Sequence, residues 1–299
     1  MPKKQTLLFG AHMSIAGEFK RAIERGESIG CTAIQIFTKS NRQWHAKAIG
    51  EKEAMEFKES WKASSITSIV AHASYLINIG SPDKAIEHKS VNALKIEMER
   101  CAMLDIPYLV LHPGSHSHTD EKICLERISH NLDELFKQVD GCSILLETSA
   151  GQGTNVGYNF EQLAYIIKLS HHKNRLGVCF DTCHAFTAGY DFTTEKSYHD
   201  LWKQFDKIIG LNKLKAIHVN DSKQVLGSCI DRHADIGKGK MGLKPFELLF
   251  NDPQFFDIPK ILETPKKDGL EKDKKNMETL VSLLSSKTKK ALHVTREES

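Results

Sequence analysis

The sequence predicts an α/β protein built as a (β/α)8 TIM barrel, and two observations predict it. First, eight short apolar runs recur along the chain, near 7–10, 33–37, 69–73, 108–112, 144–147, 176–180, 214–219 and 259–262. They begin about 26 to 45 residues apart, which is room for one helix between each pair, as eight βα units require. Second, six runs close on a residue able to bind a metal: IVAH at His72, YLVLH at His112, ILLE at Glu147, GVCFD at Asp181, AIHVND around His218 and KILE at Glu263. Side chains at the carboxyl ends of barrel strands converge on one face, so a barrel explains both patterns. No GxGxxG turn follows the first run, which argues against a dinucleotide-binding open sheet.

Taken in order, the first run leads to His12, which we assign to orienting a carboxylate or contacting substrate. Helical spacing follows over 52–62. Between 83 and 104, Val91, Leu94, Met98 and Cys101 recur at three- and four-residue steps, while Lys84, Glu87, Lys95, Glu97 and Arg100 fall largely on other faces. Pro82 and Asp83 stand where this helix should start, and Pro107 marks re-entry into a strand. Segments 121–137, 160–169 and 195–209 read as helices in the same way. The run at 177–181 delivers Asp181, and with it His184, to a strand end. The closing stretch 287–299, KTKKALHVTREES, reads as a charged, frayed tail rather than a DNA-binding arm.

Length and composition set bounds. A chain of 299 residues and 33.7 kDa suffices for one barrel, so one domain over 1–299 is expected. Hydrophobic content of 40% beside 26% charged residues belongs to a globular protein, and no apolar run is long enough to span a membrane. The first residues, MPKKQTLLFGAHMS, hold an apolar stretch too short for a signal peptide, so cytoplasmic residence is expected. Seven cysteines form no CxxC pair and read as reduced packing residues, including Cys179 and Cys183 on either side of Asp181. A net charge of +3 permits nucleic-acid binding without arguing for it.

The candidate metal set is His72, His112, Glu147, Asp181, His184, His218, Asp231, His233 and Glu263. Any one of these histidines alone is better explained as a core or surface residue. Their shared place at strand ends changes the reading, as does the DxH spacing of Asp231 and His233, which puts both side chains on one side of an extended segment. Imidazole with carboxylate and no thiolate favours zinc, manganese or iron over calcium or magnesium, and nine ligands are too many for one ion, so two or three are implied. The remaining histidines, His45, His88, His130, His171, His172, His199 and His293, fall on polar helix faces, in loops or in the tail. His116 and His118 follow His112 closely, but His112 ends the apolar run and is the better ligand. Clustered divalent ions suit phosphodiester hydrolysis, and Glu147 is the carboxylate best placed to bridge two of them, with Asp181 and Glu263 beside it.

Several blocks resemble the endonuclease IV family of zinc-dependent apurinic/apyrimidinic endonucleases: GAHMS near the start, FTKSNRQW at 37–44, HASYLIN at 72–78, LHPGSH at 111–116, GVCFDTCHAFTAGYD at 177–191, HVNDSK at 218–223, GSCIDRHADIGKG at 227–239 and ILETP at 261–265. The likeness spans nearly the whole chain. It implies three zinc ions: His72, His112 and Glu147 on one, Glu147, Asp181, His218 and Glu263 on the second, and His184, Asp231 and His233 on the third. It implies Arg42 and Tyr75 as residues that penetrate DNA. One departure is Ala71, where many members carry proline. The implied activity is incision of double-stranded DNA 5′ to an abasic site, leaving a 3′-hydroxyl and a 5′-deoxyribose phosphate, together with removal of blocking groups from 3′ ends. The implied enzyme is a monomer. Two other readings compete: a sugar isomerase on the same barrel, which needs two ions and a small closed pocket, and a non-catalytic DNA binder, which needs none.

Overall fold

The computed structural model describes residues 5–265 and 269–293. Its centre is a closed barrel of eight strands: β1 Phe9–Met13, β2 Ala33–Phe37, β3 Ser68–His72, β4 Tyr108–Leu111, β5 Ser143–Glu147, β6 Leu176–Asp181, β7 Leu214–His218 and β8 Lys260–Leu262. All neighbours are parallel, and β8 closes on β1 through Ile261 opposite Gly10. The fold class is the one expected, although β1 begins two residues later than its apolar run and holds His12 within it.

The period of two along each strand builds the site. Ala33, Val70 and Ile261 form one small buried cluster inside the barrel, and Val110, Leu145, Cys179 and Ala216 form another. Two residues further along the same strands stand Gln35, His72, Glu263, His112, Glu147, Asp181 and His218. Alternation therefore stacks a polar layer directly on an apolar floor. The intervening residues face outward. Phe180, between Cys179 and Asp181, packs 4.9 Å from Trp202 and 6.5 Å from Phe205, with Phe160 5.2 Å from Phe205. Burying a side chain of this size contributes about 1.5–3 kcal/mol, so the strand that carries Asp181 is held rigidly from behind.

Ten helices surround the strands among the described residues: α1 Lys20–Glu27, α2 Glu51–Ala63, α3 Lys84–Met103, α4 Glu121–Phe136, α5 Phe160–Leu169, α6 Thr182–Ala188, α7 Glu195–Ile208, α8 Lys244–Asn251, α9 Leu270–Ser282 and α10 Ser286–Ala291. Their starts follow capping chemistry. Asp83 accepts from the amides of Ala85 and Ile86, Asp120 from that of Ile123, and Thr194 forms a capping box with Ser197.

Two expectations need correction. The segment read as a frayed tail from 287 is ordered in its first part: α10 covers Ser286–Ala291, Leu292 is buried, and Leu292–His293 pairs in parallel with Gln5–Thr6. A reciprocal hydrogen-bond ladder and one apolar anchor outweigh the charge of the lysines there; residues 294–299 lie outside the described residues. His184 is not on a strand end. It sits in the first turn of α6, whose N-cap is Asp181. No helix among the described residues is long and apolar enough to cross a membrane.

Candidate active site

The polar layer opens at the carboxyl end of the barrel and is centred on Glu147, fully buried at the last position of β5. Its Oε2 lies 3.1 Å from His72 Nε2 and 3.2 Å from His112 Nε2. Its Oε1 lies 2.8 Å from His218 Nδ1 and 3.4 Å from His184 Nδ1. One carboxylate thus faces two separate pairs of imidazoles. The same His218 Nδ1 is approached by Glu263 Oε2 to 3.2 Å and by Asp181 Oδ2 to 3.8 Å. His184 Nε2 faces Asp231 Oδ2 at 3.2 Å, and His233 Nε2 faces Asp231 Oδ1 at 3.3 Å.

These residues fall into groups whose ligand atoms lie within 4.8 Å of one another: His72, His112 and Glu147; Glu147, Asp181, His218 and Glu263; and His184, Asp231 and His233. These three groups have the same members as the three sets that the family resemblance implies. A fourth group, Asp181, Cys183 and His233, was not expected. Cys183 is buried, which pushes its thiol up to about 12, against the influence of nearby His184.

The donor set suits metal. Each of four histidines anchors one ring nitrogen on an oxygen that is not itself a candidate ligand: His72 Nδ1 on Ala73 O at 2.7 Å, His184 Nδ1 on Thr148 O at 2.9 Å, His233 Nδ1 on the main-chain O of Glu263 at 3.1 Å and His218 Nε2 on Gln35 Oε1 at 2.8 Å. An imidazole whose outer N–H is so held presents its other nitrogen as a lone pair, the usual arrangement of a metal-ligating histidine. His233 Nε2 is buried within the site and makes no hydrogen bond, a cost that a metal ion would remove.

Electrostatics agree. Burial alone would raise the Glu147 carboxyl, but His112, His218 and His184 outweigh it and hold Glu147 well below the usual carboxylate range. Glu263 is likewise depressed to about 2, against burial, by His218 and His72. Burial lowers His184 and His218, yet Asp181, Asp231 and Glu147 hold the first well above its ordinary value, and Cys179, Glu263 and Glu147 do so for the second.

The other expected residues flank this centre. His12 Nδ1 lies 3.1 Å from Gln35 Nε2 and 4.0 Å from Glu263 Oε1, with its ring on Phe37. Tyr75 is 59% exposed, and its ring centroid lies 5.5 Å from His72 and 5.7 Å from His112, so it walls the site while facing solvent. Arg42 is exposed on the loop after β2. His116, by contrast, turns away to Thr119 O at 2.8 Å, and Ser117 and His118 adopt positive φ in a tight turn.

Sequence reading missed three supporting residues. Gln35 Nε2 donates to Glu263 Oε1 at 2.6 Å, and Gln35 Oε1 accepts from His218. Asn220 Nδ2 donates to Asp181 Oδ2 at 2.7 Å while its Oδ1 accepts from the Glu263 amide at 2.8 Å. Thr148 Oγ1 accepts from the Asp181 amide. The signal for Gln35 was present: a lone amide at an inward position between Ile34 and Ile36.

The chain matches the xylose isomerase-like TIM barrel family over residues 23–286, which fixes its class. Within that class it is 48% identical to a probable endonuclease 4 of Geotalea daltonii, over 93% of this chain and 98% of that protein. It is 47% identical to a probable endonuclease 4 of Geobacter sulfurreducens, over 94% and 96%. The crystal structure of endonuclease IV from Thermus thermophilus superposes with a TM-score of 0.82 at 35% identity, covering 92% of this chain and 98% of that one. The chain belongs to the endonuclease IV family. A D-tagatose 3-epimerase-like protein, 21% identical with a TM-score of 0.69 over 92% of this chain and 96% of that one, shares the fold alone.

Proposed function

We propose that the protein is a DNA-repair endonuclease that hydrolyses the phosphodiester 5′ to abasic sites in double-stranded DNA. It leaves a 3′-hydroxyl and a 5′-deoxyribose phosphate, clears blocked 3′ ends, and acts as a cytoplasmic monomer with three zinc ions. The observation that carries this reading is Glu147, fully buried, whose Oε2 faces His72 and His112 while its Oε1 faces His218 within a second ligand group. Zinc held by the three groups would make water acidic enough to ionise near neutral pH and would offset charge on the phosphate.

The chain's own residues do the rest. Glu147, Asp181 and Glu263 supply the anionic ligands, and Asn220 and Gln35 hold the second and third of these carboxylates in place. Tyr75 closes one side over His72 and His112. With Arg42 it would replace base stacking lost when a duplex is kinked. An abasic nucleotide has no base to unstack or unpair, so it swings out at less than the few kcal/mol an intact one costs.

The test is a duplex with one abasic site, incubated with zinc-loaded protein. Cleavage on the 5′ side with a 3′-hydroxyl product is expected, and it should stop on chelation and return with zinc. Cleavage 3′ to the site, or undiminished cleavage after chelation, would overturn the reading.

A further inference from the structure

The loops after β2 and β3 carry Arg42 and Tyr75, and both are tied to one buried charge. Lys39 Nζ lies 3.1 Å from Glu97 Oε1, with the two side chains only 2% and 1% exposed. Lys39 also donates to Gln43 O at 2.7 Å, one residue past Arg42. The same Glu97 oxygen accepts from the amide of Ser74, next to Tyr75, at 3.2 Å, and Ser74 Oγ donates across to Asn41 O at 2.7 Å. Glu97 belongs to α3, and three residues on Arg100 donates to Thr38 O at 2.9 Å and to Lys47 O at 2.7 Å. Lys89 of the same helix lies 4.5 Å over the ring of Trp44.

A buried ion pair is not needed for stability, since an apolar pair of similar volume commonly does as well. This one joins two loops that have no regular structure of their own between 38 and 50 or between 73 and 83. We propose that Lys39 and Glu97 are positioning residues that set Arg42 and Tyr75 at a fixed separation, so that both meet a distorted duplex without being ordered during binding. The proposal rests on the function given above. Its physical content is preorganisation: ordering that is complete before association need not be drawn from the binding free energy.

The test uses the full, zinc-loaded chain and a duplex with a stable tetrahydrofuran abasic site. Glu97→Gln removes one charge, and the paired variant Lys39→Met with Glu97→Leu removes both, so that a folded variant exists even if the single change leaves an intolerable buried lysine. The expected result is about a tenfold rise in the Kd for the abasic duplex, with unchanged zinc content and unchanged hydrolysis of bis(p-nitrophenyl) phosphate. Amide exchange at 40–44 and 73–77 should quicken. In a background of Arg42→Ala with Tyr75→Ala, the paired variant should cause no further loss, because nothing remains to be positioned. An unchanged Kd, or an equal loss in both backgrounds, overturns the proposal. Wild-type protein that fails to prefer the abasic duplex over an intact one overturns the functional reading, and with it this inference.

Discussion

Glu147 Oε1 stands 2.8 Å from His218 Nδ1, and both side chains are fully buried. Desolvation of both groups is tolerable only because each finds the other and because Glu147 also serves His72, His112 and His184. Glu147→Gln keeps the shape and removes the charge. We expect a folded protein that binds less than three zinc ions and incises at least about a thousandfold more slowly, equivalent to roughly 4 kcal/mol of barrier. Normal turnover in this variant would refute a bridging role.

Asp181→Asn separates two tasks of one side chain. Asp181 Oδ1 caps α6 through the His184 amide, and asparagine caps a helix equally well. A neutral amide is, however, a poor zinc ligand beside an anionic carboxylate. The helix should therefore survive, with the melting temperature of chelator-treated protein little changed, while one ion is lost and activity falls by several orders of magnitude. Three zinc ions retained per chain by metal analysis would remove Asp181 from the ligand set.

Tyr75→Ala and Arg42→Ala should act on DNA rather than on metal. Stacking on an aromatic ring is worth about 1–3 kcal/mol per base, so Tyr75→Ala should weaken abasic-duplex binding by roughly ten- to a hundredfold. Arg42→Ala should weaken it similarly and, if Arg42 touches a phosphate, lower the salt slope of log K by about one. Zinc content and hydrolysis of a small phosphodiester should persist. Tyr75 packs on His72 and His112, so metal analysis is the decisive control: loss of zinc would assign the ring to the scaffold.

The pH dependence should reverse between metal-free and zinc-loaded protein. His184 and His218 sit well above their ordinary 6.5 when folded without metal. Their stabilisation is fully present below that value and is lost as pH rises through the folded ones. Glu147 and Glu263 lie below their ordinary 4.5, so their contribution is present above it and fades as pH falls through the folded values. His72, lowered by burial but raised overall by Glu147, adds to these two, while His112, lowered by burial, works against all three on the acid side. Metal-free protein should thus be most stable between roughly pH 4.5 and 6.5 and lose stability towards pH 9. Zinc displaces those protons, so its stabilisation should grow with pH. Melting temperatures with and without zinc from pH 5 to 9 test this, and a metal-free melting temperature that climbs from pH 6 to 9 would contradict it.

Much of this protein was legible in the amino-acid order. Recurring apolar runs of strand length fixed eight βα units, and in six of them the period of two set a ligand two residues beyond an inward apolar residue, as in Leu145 and Glu147 or Ala216 and His218. Local rules of this kind need no knowledge of distant segments. The DxH pair was readable for the same reason: Asp231 and His233 face each other because alternate residues of an extended chain share a side. Tertiary structure alone decided the rest. That Gln35 of β2 joins Glu263 to His218, that Lys39 meets Glu97 across two loops, and that Leu292 pairs back to the strand at Gln5–Thr6 depend on residues far apart in sequence. Each pairing is set by how the closed barrel brings its strands and loops together. The lysines after Leu284 gave the end of the chain the look of a solvated tail, because the strand at Gln5–Thr6 that pairs with it, and so lets Leu292 be buried, comes from the other end of the sequence.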